Sequence, residues 1–127
     1  MFEKLGLTRM AQALASHSGS RLEVVARNVA NADTPGYRAQ ALPAFHTLYE
    51  GERQHMLRAT RPGHIKSENS LRTTTASSGF GMAPNGNDVS LDQQMMKAIE
   101  ARQEHEMALA VYRSTSAIIR TSLGRSS

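Results

Sequence analysis

From Leu7 to Ala32 the chain places Leu7, Ala11, Leu14, Leu22, Val25, Val29 and Ala32 at steps of three and four residues, with Ser18 the one polar position among them. Such steps put side chains on a narrow stripe of one helix, so the pattern predicts a helix of about 25 residues and about 37 Å. Arg9, Arg21, Glu23 and Arg27 fall off that stripe. Gly19 is its weak point. An interior glycine costs about 1 kcal/mol relative to alanine, which predicts bending or fraying over His17-Ser18-Gly19-Ser20.

A second helix is predicted from Ser90. Ser90-Leu91-Asp92-Gln93 reads as a capping box, with Ser90 and Gln93 each serving the other's backbone amide. From it runs a stripe at Leu91, Met95, Ala98, Arg102, His105, Leu109, Tyr112, Ser116, Ile119 and Leu123, with a period near 3.5. Met96, Ile99, Met107, Val111 and Ile118 widen the apolar surface and imply a second partner face, while Glu104 lies off the stripe. Gly124 predicts the stop, and Arg120 and Arg125 suit the negative end of the helix dipole.

Between these helices the chain changes character. All four prolines and six of the nine glycines lie within residues 34–88. Residues 67–78 carry seven Ser or Thr with only Leu71 and Ala76 apolar, too little burial to offset the entropy of ordering. The organisation expected is therefore a mainly α chain. Residues 1–33 and 89–127 supply long terminal helices packed as a coiled-coil-like pair. An extended, Pro/Gly/Ser/Thr-rich connector, partly disordered or a β-hairpin, spans 34–88 and orders only against neighbours.

Residues 28–37, Asn-Val-Ala-Asn-Ala-Asp-Thr-Pro-Gly-Tyr, carry the clearest local chemistry. Pro35 disfavours helix at Thr34 and has no N–H to extend a ladder. Pro35-Gly36 suits the middle of a type II turn, where glycine takes a positive φ. Asn28, Asn31 and Asp33 can bond backbone groups left over at the helix end. Tyr37 offers a ring to pack and a hydroxyl to bond. These residues alone describe a well-made helix stop before a change of direction.

Composition narrows the classes of function. A chain of 127 residues with three Phe, three Tyr and no Trp builds only a modest core, so stability must draw on partners. Without cysteine there is no disulfide, thiolate metal site or cysteine nucleophile. The net charge of +4 is spread over all three segments, and no basic patch interleaved with aromatics points to nucleic acid. His17, His46, His55, His64 and His105 fall in no HExxH, GxSxG or P-loop spacing, so neither an enzyme, a metal site nor a cofactor is implied. His64 reads as a turn residue and His105 as an edge or interface residue of the second helix. The N-terminus carries no signal-peptide pattern and no segment is apolar enough to span a membrane, which by itself points to the cytosol.

Ala30-Asn31-Ala32-Asp33-Thr34-Pro35-Gly36-Tyr37 closely resembles the signature that flagellar rod and hook proteins share near their N-termini. Leu57-Arg58-Ala59-Thr60-Arg61-Pro62-Gly63-His64-Ile65 and Asn85-Gly86-Asn87-Asp88-Val89-Ser90-Leu91-Asp92 extend the resemblance over nearly the whole chain, toward the proximal rod type. Ala101-Arg102-Gln103-Glu104-His105-Glu106 departs from the Gln-Arg-Ala-Tyr-type segment of other rod and hook members. Residues 67–78 match nothing in the family.

The resemblance implies a structural subunit of the bacterial flagellar basal body. It would be exported unfolded by the flagellar type III apparatus without a cleaved signal, and would polymerise helically in a periplasm-spanning rod that transmits torque. Its partners would be copies of itself, other rod and basal-body proteins and the export apparatus. Under that reading Asn28, Asn31, Thr34, Pro35, Gly36 and Tyr37 form the family turn. Leu7, Leu14, Leu22, Val25, Val29, Leu91, Met95, Leu109, Tyr112, Ile119 and Leu123 form the assembly seam. Phe45 and Tyr49, an aromatic pair four residues apart, are similar to a short export-gate signal; local packing explains the same spacing. A free-standing helical adaptor that binds a partner helix in a groove is the alternative the same stripes permit. Sedimentation separates the two, since an adaptor is a compact stable domain and a rod subunit a loose monomer or a polymer.

Overall fold

The structure, a computed structural model, describes residues 2–54, 74–75 and 82–124. Its elements are α1 (Phe2–Ala30), β1 (Gln40–Ala41), α2 (Phe45–Gln54), β2 (Thr74–Thr75) and α3 (Leu91–Ser122). The chain is mainly helical, with long N- and C-terminal helices packed together. They run antiparallel: Asn28 meets Gln94, Arg21 meets Glu104, and His105 reaches Ala15 and Ser18. The stretch 57–65, with its His64, lies outside the described residues, as does 67–78 apart from Thr74–Thr75.

The seam between α1 and α3 is made of small and polar side chains. On α1 the buried positions include Ala11, Ser18 and Val25; on α3 they are Gln94, Ala101, Ala108 and Thr115. Both sets repeat every seven residues, the period that keeps one face of each helix on the other. Side chains this small allow close approach of the two backbones.

This register differs in part from the stripe read on α3. Ala98, His105, Leu109, Tyr112, Ser116 and Ile119 are partly buried as that stripe requires, but its remaining members turn outward. Leu91, Met95 and Leu123 are 51%, 64% and 62% exposed. Two stripes of period 3.5 share Ala98, His105, Tyr112 and Ile119, and Arg102 decides between them. Seating a long cation between helices would cost its desolvation. Instead Arg102 stays at the surface, where its Nε–H donates to Glu106 at 3.1 Å.

Three local expectations are corrected. α1 runs unbroken through Gly19, because the neighbouring His17 and Ser18 are buried and bonded. Ser90 is the N-cap of α3 but makes no side-chain capping bond; its carbonyl accepts from Gln94 N–H at 3.0 Å. Glu104, expected off the seam, accepts a 2.7 Å bond from Arg21 across it. The stop at Gly124 stands as read, with φ +73° and its N–H on the Thr121 carbonyl at 3.2 Å.

The described part of the connector holds more structure than its composition suggested. α2 occupies ten residues of it, with Phe45 and Tyr49 stacked at 5.4 Å on successive turns. Phe45 also meets the ring of His17 at 5.6 Å, and this tertiary contact fixes a helix that polarity alone does not predict. β1 pairs antiparallel with β2, Gln40 opposite Thr75 and Ala41 opposite Thr74. Among the described residues the buried apolar side chains are Ala11, Val24, Val25, Ala39, Ala101 and Ala108. None is larger than valine, so hydrophobic burial within the subunit is slight.

Candidate assembly site and its polar clasp

Where α1 ends, the chain is held by buried amides and not by apolar packing. Thr34 accepts from Tyr37 N–H at 3.3 Å while Gly36 takes φ +73°, the geometry of a type II turn. Asn28, fully buried one turn earlier, ties three parts of the fold. Its Nδ2 donates to the Gln40 carbonyl at 2.7 Å and to Gln94 Oε1 at 3.0 Å. Its Oδ1 accepts from Gln40 N–H at 2.9 Å and from the Tyr37 hydroxyl at 3.2 Å. Asn28 therefore joins the strand and α3 to α1, where the sequence reading had it cap its own helix. Asn31 does serve α1 itself, donating to the Arg27 carbonyl at 2.8 Å and accepting from Thr34 Oγ1 at 3.2 Å.

The segment before α3 completes the clasp. Asn87 Nδ2 lies 2.9, 2.8 and 2.8 Å from the carbonyls of Asn31, Ala32 and Thr34. Two hydrogens serve three acceptors, so at least one is shared. The Asn31 and Thr34 carbonyls also accept from Thr34 N–H and Tyr37 N–H within the turn, so Asn87 adds, from more than fifty residues away, a further donor to the carbonyls at the end of α1. Asp88, 5% exposed, accepts from the Ala39 amide and stands 3.8 Å from the Arg38 guanidinium. Gly36 N–H donates to the Asn85 carbonyl at 3.0 Å, and a Cβ on Gly86 would meet Gly36 Cα at 3.5 Å. The two turns thus pack glycine against glycine. Asn87, Asp88 and Gln94 carry no bonding role in the sequence reading, where Asn87 and Asp88 stand only within the stretch 85–92 that extends the family resemblance.

Farther along the pair, Arg21 bridges to Glu104 at 2.7 Å and to Glu100 at 3.6 Å. His17 Nε2 lies 2.9 Å from the Pro43 carbonyl, pinning the approach to α2. His105 Nδ1 lies 3.2 Å from the Ala15 carbonyl and 3.4 Å from Ser18 Oγ. Ser18 Oγ donates to the carbonyls of Leu14 and Ala15, so this pair braces the helices together.

The large apolar residues lie mostly outside. Val25 is buried and Leu22, Leu109, Tyr112 and Ile119 partly so, whereas Leu7, Val29, Leu91, Met95 and Leu123 are exposed. Met96, Ile99, Met107 and Ile118 are also about half exposed or more. Leu7 and Leu14 come together with Phe45, Tyr49, Met107 and Val111 around an apolar groove of about 400 Å³ between α1, α2 and α3. Among the described residues no group of carboxylates and imidazoles could hold a metal ion, and no helix is long and apolar enough to cross a membrane.

Residues 7–38, which run from the groove along α1 through the turn to Arg38, match the family described as flagella basal body rod protein. The chain is 29% identical over 118 residues to the flagellar basal body rod protein FlgB of Agrobacterium fabrum (strain C58), covering 88% of each. It is 25% identical over 117 residues to the protein of that name from Buchnera aphidicola subsp. Acyrthosiphon pisum, covering 86% of this chain and 88% of the relative. With the Asn28 clasp and the paired terminal helices in place, these likenesses make the chain similar to the flagellar basal body rod proteins, FlgB among them.

Proposed function

We propose that this protein is a subunit of the proximal rod, exported unfolded by the flagellar type III apparatus and assembled helically through α1 and α3 into a periplasm-spanning tube that transmits torque. One observation carries the assembly reading. The chain uses small and polar side chains to pair its own helices and leaves many of its large apolar side chains exposed, among them Leu7, Leu91, Met95, Met96, Ile99 and Leu123. A subunit built this way is weakly stable alone and gains most of its burial on joining neighbours, which suits passage as an unfolded chain followed by tight packing. Leu7, Leu14, Leu22, Val25, Val29, Leu91, Met95, Leu109, Tyr112, Ile119 and Leu123 remain the proposed seam, its partly buried members also bracing the subunit. Phe45 and Tyr49 are the proposed export signal, to be read before α2 forms.

The test is made in cells that lack the native gene. Leu109→Asp should abolish rod formation and swimming while the protein is still exported, because export needs no seam. Phe45→Ala with Tyr49→Ala should lower export itself. Normal swimming with Leu109→Asp would refute assembly through α3.

A further inference from the structure

We propose that the groove between α1, α2 and α3 receives the Leu91–Met95–Ile99 stripe of a second copy of this chain, an inference that rests on the rod-subunit reading above. The groove is bordered by Leu7 and Leu14 on α1, Phe45 and Tyr49 on α2, and Met107 and Val111 on α3, and it holds about 400 Å³. The groove is open to solvent and lined almost wholly by apolar atoms, so an apolar side chain can enter it from outside. Ala11 and Ala108 also line it, and their small side chains leave room for larger ones.

The stripe matches it in length and chemistry. Leu7 to Leu14 spans about 10 Å of helix, and Leu91 to Ile99 about 12 Å. Leu91, Met95 and Ile99 are 51%, 64% and 58% exposed and succeed one another every four residues. Their placement excludes self-filling. Met95 and Val111 are separated by about 24 Å along one rigid helix, so a copy cannot put its own stripe into its own groove. Stripe and groove are different surfaces, the stripe at the N-terminal end of α3 and the groove against its middle, so their union is head-to-tail and gives a helical array where the rotation does not close.

Area decides when the union forms. Covering three such side chains removes on the order of 200 Å² of apolar surface. A stable pair needs about 800 Å² per partner. One contact therefore leaves the free subunit with an open groove, and the stripe seats only where neighbouring contacts add to it.

The chain has no cysteine, so introduced ones report cleanly. Full-length Met95→Cys and Val111→Cys proteins are co-expressed in cells lacking the native gene, and basal bodies are isolated after mild oxidation. A disulfide needs Cα atoms closer than about 7 Å, which no single chain can offer between these positions. The expected result is a mixed disulfide dimer at least ten-fold above the dimer from either variant alone. Ile99→Cys with Tyr49→Cys gives a second, independent pair. Equal dimers from one variant alone would mean a symmetric contact and overturn the proposal. Rods that contain the protein yet give no mixed dimer from either pair would overturn it too, with the rod-subunit reading intact. Absence of the unsubstituted protein from isolated basal bodies would overturn both.

Discussion

Asn28 on α1 donates through Nδ2 to Gln94 Oε1 on α3 at 3.0 Å, and both side chains are fully buried. The same nitrogen also donates to the Gln40 carbonyl, so one amide sets the rotation of α3 on α1 and the start of β1. A buried polar group with all its partners specifies one arrangement, because any slip leaves donors and acceptors unpaired.

Replacing Asn28 by Ala removes four hydrogen bonds and leaves Gln40 and Gln94 without that partner. The expected loss is about 2–4 kcal/mol of stability in urea unfolding. Tyr37→Phe, which removes only the hydroxyl bond to Asn28, should cost about 1 kcal/mol. Equal losses from the two would mean that Asn28 is not the hub.

Gly36 has φ +73°, and a Cβ there would meet nothing within 4 Å, so substitution costs backbone strain alone. Gly36→Val should lower stability by about 1–3 kcal/mol, and Gly36→Asn by less, since Asn enters the left-handed region more readily. Rod assembly should fail with Val while export continues. A thermal melt that does not distinguish Val from Asn would contradict the turn as the cause.

Asn87→Ala removes a donor from the carbonyls of Asn31, Ala32 and Thr34. The amides of residues 29–34 should then exchange hydrogen faster than those at the centre of α1, with a global loss of about 1–3 kcal/mol. Uniform acceleration across α1 would count against a local cap.

Ala101 is fully buried between the helices, and Ala110 on the same helix is exposed. Ala101→Leu should force the pair apart and cost about 1–3 kcal/mol. Ala110→Leu should stay within about 0.5 kcal/mol. Glu104→Gln removes the charge that pairs with Arg21 while leaving an oxygen to accept its hydrogen bond, and should cost no more than about 1 kcal/mol, less in high salt.

Local chemistry was legible along the sequence wherever it acts over a few residues. The two long helices, the Pro35-Gly36 turn with its positive φ and the Gly124 stop all follow from spacing and from backbone constraints on single residues. So did the modest core, since a chain poor in aromatic residues cannot build a large one. The fold class and the family signature rested on those same features.

Contacts between distant residues were decided only in three dimensions. α3 is apolar or small on most sides, so two stripes of the same period fit it equally well. Which one faces α1 depends on small residues meeting small residues and on keeping Arg102 in water. α2 takes its place from His17, some thirty residues earlier. Asn87 caps a helix that ended more than fifty residues before it, and Asn28 finds Gln94 across 66 positions. A hydrogen bond of that reach leaves no periodic trace in either segment, because each amide reads locally as an ordinary polar residue until packing brings its partner within 3 Å.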